Sequence, residues 1–129
     1  MKRANPEAAL HRAVARYLDM ALPADCWWST FPSGGGGKVR GAQLKAMGLK
    51  AGVPDILIMR LPYAVTEPEV NWIELKAAKG RASVEQQLCH AALERVGCYV
   101  AICRSVEDVE ETLLGWGFRL RATVGRRAA

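Results

Sequence analysis

The chain has no apolar run approaching the roughly 18 residues that a membrane span needs. Its opening, "MKRANPEAAL", is basic and carries a proline, with no hydrophobic h-region of a signal peptide. A cytoplasmic protein is therefore the expectation. Cysteine is sparse. Cys26, Cys89, Cys98 and Cys103 are the four present, and their spacing matches neither a zinc knuckle nor a CxxC redox motif. Two of them bracket "CYVAIC", which reads as a buried strand, where cysteine behaves as a small hydrophobe. All four are read as structural; a zinc site assembled with His11 or His90 is conceivable from composition alone. Internal repeats and any composition break marking a second domain are also missing.

What is present points to one globular domain. The 129 residues suffice for a core of their own, and half of them are hydrophobic. The net charge of +5 fits a surface for polyanions without requiring one.

Along the chain, "NPEAALHRAVARYLDMAL" predicts a helix: Asn5 as N-cap, Pro6 at the first helical position, and Leu10, Val14 and Leu18 as one apolar stripe. "DCWWSTF" is a short strand. "PSGGGGKVRGAQ" predicts a mobile loop over about residues 33–41, because consecutive glycines hold no fixed shape cheaply. "GAQLKAMGLKAG" is a short helix stopped at Gly48. "VPDILIMRL" is a near-continuous apolar run typical of a strand covered on both faces. A connection over "PYAVTEPEV" leads to the strand "NWIELKA". The helix "VEQQLCHAALERV" ends at Gly97, "CYVAICR" is a third core strand, and "SVEDVEETLLGWG" is a final helix capped by Ser105 with acids in its first turn. The basic end, about residues 119–129, is expected to fray. A strand returning after a helix suggests a parallel pair, giving an α/β domain with a central mixed β-sheet flanked by helices in two or three layers.

Strand alternation sets Trp72, Glu74 and Lys76 on one face of "NWIELKA" and Ile73, Leu75 and Ala77 on the other. Asp55 opens another core strand. Two carboxylates and an ammonium converging on one sheet are costly unless paired or bound. A divalent cation held by Asp55 and Glu74, with Lys76 beside it, accounts for the set, and oxygen ligands suit Mg2+ or Mn2+ rather than zinc. The bland account is equally open on the pattern alone: Glu74 and Lys76 pair at a solvated strand end, and Asp55 caps the turn after Pro54.

"GVPDILI" followed by "WIELKAAKGRASVEQ" resembles the PD-(D/E)xK nuclease core, and specifically the VRR-NUC family in its compact stand-alone form from phages and bacteria. Pro54-Asp55, Glu74-Leu75-Lys76, Lys79-Gly80 and Ser83 to Gln86 match in order, and "GGGGKVRGAQLKAMGLKAG" resembles the glycine-rich basic run upstream. The likeness spans about Phe31 to Arg104 and implies a restriction-endonuclease-like core. It also implies that Asp55, Glu74 and the main-chain carbonyl of Leu75 bind Mg2+ or Mn2+, and that Lys76 orients or helps deprotonate the attacking water. Gln86 would lie near the metal or the scissile phosphate, although Ser83 to Gln86 also reads as an S-x-x-Q capping box. Glu7 is a candidate further ligand, since the family carries an acid in its first helix. It shares the stripe of Val14 and Leu18 and so is expected to point inward; the alternative is a first-turn acid matching the helix dipole.

"GGGGK" is no P-loop, because Pro32 and Val39 stand where that motif needs glycine and Ser or Thr. No nucleotide cofactor is expected. Lys38, Arg40, Lys45, Lys50, Lys79 and Arg81 are candidate contacts to a DNA backbone, with a plain solvated basic face as the alternative. Trp27, Trp28 and Trp72 are read as core, with Trp72 under suspicion for sharing the face of Glu74. Trp116 is assigned to packing or a subunit interface, together with Leu113, Leu114 and Phe118.

The function expected from the resemblance is a metal-dependent DNA endonuclease acting as a homodimer on branched DNA such as four-way junctions. A non-catalytic DNA-binding module of the same fold, a general or flap nuclease, and a protein-interaction domain are the alternatives.

Overall fold

The computed structural model describes residues 5–31, 37–63 and 65–124. Its elements run α1 (Pro6–Ala21), β1 (Cys26–Thr30), α2 (Gly37–Ala46), β2 (Ile56–Arg60), β3 (Glu69–Leu75), α3 (Val84–Arg95), β4 (Tyr99–Cys103) and α4 (Val106–Gly115). The four strands form one sheet in the order β1-β2-β3-β4. β1, β2 and β3 are antiparallel, with Trp28 opposite Ile58 and Ile56 opposite Ile73. β4 returns parallel to β3 after the α3 crossover, with Leu75 opposite Cys103. The mixed sheet flanked by helices is as expected from sequence.

One face of the sheet holds the main core. Val14, Tyr17 and Leu18 of α1 and Val109 and Leu113 of α4 pack on Ile56, Ile58, Ile73 and Leu75. These are the inward positions of period-2 strands and 3.6-period helices. Asn5 caps α1 by accepting the Ala8 N–H at 3.0 Å. Helix α3 lies against the sheet's opposite face, where Trp72 and Glu74 project, because alternate residues of β3 leave on opposite sides. Both faces of β3 are thus covered, and all five residues from Asn71 to Leu75 are buried.

Several expectations need correction. Residues 37–41 belong to α2 rather than to a glycine-rich loop, since "GKVRGAQLKA" continues in helical register once clear of the glycines; the rest of that loop lies outside the described residues. Trp27 is 59 % exposed, because strand alternation turns it to the face opposite Cys26 and Trp28, which pack against the core. β4 is an edge rather than a core strand, with Tyr99 and Ile102 exposed and Cys103 buried. Residues 119–124 do not fray. Arg121 covers the orphan carbonyls at the end of α1, its N–H reaching Ala21 O at 2.7 Å and its Nε reaching Leu22 O at 3.0 Å. Tyr17 donates to Ala122 O, and the buried Glu110 accepts the Val124 N–H at 2.7 Å. Burial and the neighbouring Glu110 push the Tyr17 phenol up to about 12. Residues 125–129 lie outside the described residues. Leu113 and Phe118, assigned to a possible interface, sit in the core, while Leu114 is exposed.

Candidate active site

The site begins at the turn before β2. Gly52, at φ +82°, sits so close to Glu85 that a Cβ would collide with its carbonyl, so the loop presses directly on the start of α3. Asp55 then holds three segments together. Its carbonyl accepts the Phe31 N–H at 2.8 Å and the Thr30 hydroxyl at 3.1 Å, fixing the end of β1. Its carboxylate accepts the Leu75 N–H at 2.7 Å, across the sheet at the end of β3. Asp55 is therefore no turn cap.

Glu74 is 2 % exposed and forms no ion pair with Lys76, so the solvated-pair account does not describe it. Its Oε2 accepts from Gln86 Nε2 at 3.2 Å. Its Oε1 is buried without a hydrogen-bond partner, with His90 Nε2 3.5 Å away. Desolvation first, then the hydrogen bond and the charge of Asp55, push Glu74 up to about 8; Lys76 pulls the other way and Glu7 adds a smaller upward push. Burial holds His90 below its ordinary value.

Gln86 performs two tasks at once. Its Oε1 accepts the Ser83 N–H at 2.9 Å while the Ser83 hydroxyl accepts the Gln86 N–H, a complete capping box at the start of α3. The other end of the same amide reaches Glu74. Lys76 follows β3, its N–H bonded to Cys103 O at 3.0 Å, and it is half-buried beside the carboxylates.

The residues fit a hard divalent cation in chemical type. Two carboxylates within hydrogen-bonding reach of each other, one with an orphaned buried oxygen, form a donor set that a cation would relieve. Among the described residues no group of three or more His, Cys, Asp and Glu side chains is placed to hold a metal. The set is thus two carboxylates, as Mg2+ commonly uses with waters, and the zinc alternative finds no cluster.

A model of the VRR-NUC domain matches residues 36–107, more than half of the chain. The chain belongs to the VRR-NUC family. Two solved structures are similar in fold. One, a VRR-NUC domain protein, superposes with a TM-score of 0.67 at 19 % identity, covering 90 % of this chain and 91 % of its own. The other, a VRR-NUC domain, gives 0.55 at 16 % identity, covering 89 % and 100 %. Comparison with the curated proteins gives no match. VRR-NUC is a nuclease-type family, and among the described residues no helix is long and apolar enough to cross a membrane.

Of the other VRR-NUC candidates, Glu7 is exposed rather than inward-pointing. It stands in the first turn of α1, and the stripe it shares becomes buried only from Val14 onward. Lys38, Arg40 and Lys45 on α2, Lys50 after it, and Lys79 and Arg81 after β3 are all exposed. Sequence reasoning missed two residues here. Arg104, after β4, donates to the carbonyls of Ala77 (2.9 Å) and Gly80 (2.5 Å), and so organises the loop that carries Lys79 and Arg81. His90 faces Glu74 from α3; its spacing of four residues from Gln86 was the available signal. Trp72 packs its ring on Phe31, centroids 5.3 Å apart, at the back of the same face.

Proposed function

We propose that this VRR-NUC protein is a metal-dependent endonuclease that hydrolyses phosphodiester bonds in DNA, with Asp55, Glu74 and Lys76 as its centre. The observation carrying this reading is the buried Glu74 carboxylate, with one unpartnered oxygen and Asp55 close enough to share a proton. Such a pair is a poor structural element and a good cation site. Asp55, Glu74 and the Leu75 carbonyl would hold Mg2+ or Mn2+, which would supply a water of lowered pKa and charge to polarise the phosphoryl oxygen.

The chain's own groups do the rest. Asp55, anchored by the Leu75 N–H, keeps one carboxylate at a fixed place on the strand ends. Gln86 donates to Glu74 Oε2 and tethers that end of the carboxylate. Lys76 orients the attacking water, assists its deprotonation and offsets charge building on the phosphate. Glu7, exposed but near enough to act on Glu74, is a further contributor to the cation's field. Lys38, Arg40, Lys45, Lys50, Lys79 and Arg81 contact the sugar-phosphate backbone, giving salt-dependent affinity with little sequence readout. Cleavage leaves a 5′-phosphate and a 3′-hydroxyl. A homodimer with two sites about a two-fold axis suits the symmetry of a four-way junction.

The test is incubation of the purified protein with labelled four-way junction, flap and linear duplex in Mg2+, Mn2+ or EDTA. Metal-dependent symmetric cutting of the junction alone is the expected result. Cutting of all three would leave the nuclease and remove the junction preference. Salt-dependent binding without cutting in either metal would leave a non-catalytic DNA-binding module.

A further inference from the structure

Helix α3 sends a second side chain toward Glu74. His90 lies one turn beyond Gln86, so both leave the same face of the helix. It is 8 % exposed, and its Nε2 is 3.5 Å from Glu74 Oε1. Neither atom has a hydrogen-bond partner, although both are buried, whereas Gln86 already serves Oε2 at 3.2 Å. A buried imidazole nitrogen and a buried carboxylate oxygen aimed at one another across this gap are half of an unmade contact, and leaving both unmade is unfavourable.

We propose that His90 is a positioning residue which, with Gln86, fixes the orientation of the Glu74 carboxylate for cation binding. The inference rests on the reading of Asp55 and Glu74 as cation ligands. A carboxylate held through one oxygen still turns about its last torsion, which is broad and two-fold. Donors on separate oxygens stop that rotation. When Glu74 is ionised, His90 Nε2–H donates to Oε1 and Gln86 Nε2–H donates to Oε2, while each oxygen keeps a lone pair free. Side chains that orient a ligand in this way change metal affinity by roughly 10–100-fold when removed.

The experiment is Mn2+ binding to the full chain without DNA, read from the electron paramagnetic resonance signal of free Mn2+. Wild type, Asp55→Asn, His90→Leu and His90→Gln are compared, each with its melting temperature in EDTA. His90→Leu keeps the packing and removes the donor, and is expected to weaken Mn2+ roughly 10–100-fold with a melting temperature near wild type. His90→Gln restores a donor near the Nε2 position and regains most of the affinity. Unchanged affinity in His90→Leu overturns the proposal. So does a loss that His90→Gln fails to rescue while both variants melt early, which makes His90 a packing residue. Directly coordinated nitrogen in pulsed spectra of the wild type also overturns it, by making His90 a ligand. If wild type binds Mn2+ no better than Asp55→Asn, the cation site itself is refuted, a failure visible before any His90 variant is measured.

Discussion

Gly52 lies against the backbone of Glu85 with no room for a side chain, its would-be Cβ overlapping the Glu85 carbonyl and the Gln86 nitrogen. The loop that delivers Asp55 and the helix turn that delivers Gln86 therefore meet backbone to backbone. Gly52→Ala meets both this overlap and a φ of +82° that alanine adopts only under strain. Each such strained residue costs about 1–3 kcal/mol. Urea unfolding should show at least that loss, with cleavage falling further than DNA binding because the two halves of the site are pushed apart. A Gly52→Ala protein with wild-type stability would show that this contact is looser than described.

The double duty of Gln86 separates by substitution. Ser83→Ala removes the N-cap hydroxyl and should cost about 1 kcal/mol, with cleavage little changed. Gln86→Glu keeps an oxygen for the Ser83 N–H, so the cap survives, but turns the end facing Glu74 from donor to acceptor and adds like charge. Cleavage should then collapse with only a modest change in melting temperature. Equal activity in the two variants would reduce Gln86 to a capping residue.

The pattern of these residues was readable because it is local. "VPDILIMRL" and "NWIELKA" are apolar runs of strand length, and Ser83-x-x-Gln86 marks a helix start by chemistry alone. The order Asp55, Glu74, Lys76 pointed to one sheet, and the antiparallel pairing of β2 with β3 sets the start of one strand beside the end of the other. What failed depended on where elements end relative to one another. Glu7 shares a stripe with Val14, yet periodicity cannot say how far a helix overhangs its sheet. Trp27 is as apolar as Trp28, but the two leave opposite faces of β1, and only Trp28 packs against the core, its Nε1 bonding Asp19 at 3.1 Å. Arg121 reads as a tail charge and proves to satisfy the end of a helix a hundred residues earlier. His90 was weighed in the sequence only as a zinc ligand, because its place beside Glu74 depends on how α3 packs over β3.

The raised Glu74 acid predicts how the metal-free protein responds to pH. Burial and Asp55 lift it from the ordinary 4.5 to about 8, so between these values the folded chain keeps a proton that the unfolded chain releases. The resulting stabilisation is complete below about pH 4 and is lost as pH rises through 8. In EDTA the melting temperature should fall from pH 5 to pH 9. Glu74→Gln carries no charge to desolvate, so it should flatten that slope and melt above wild type at pH 9, while losing cleavage. Parallel pH profiles for the two proteins would remove Glu74 as the group responsible.

Asp55→Asn tests the site with the least disturbance of the fold. The amide keeps an oxygen for the Leu75 N–H, so the bridge from the start of β2 to the end of β3 survives. It also removes the charge that pushes Glu74 upward, which should leave the metal-free protein as stable as wild type or more so. Removing a negative charge beside the bound phosphates leaves DNA affinity intact or higher, so the loss should appear in kcat rather than KM. A fall on the order of 10²-fold or more is expected for one group acting on the charge of the transition state. Single-turnover cleavage at saturating DNA reads that step directly. Cutting at the wild-type rate would dismiss Asp55 as a ligand, and loss of DNA binding together with cleavage would mean that the carboxylate holds the fold rather than the chemistry.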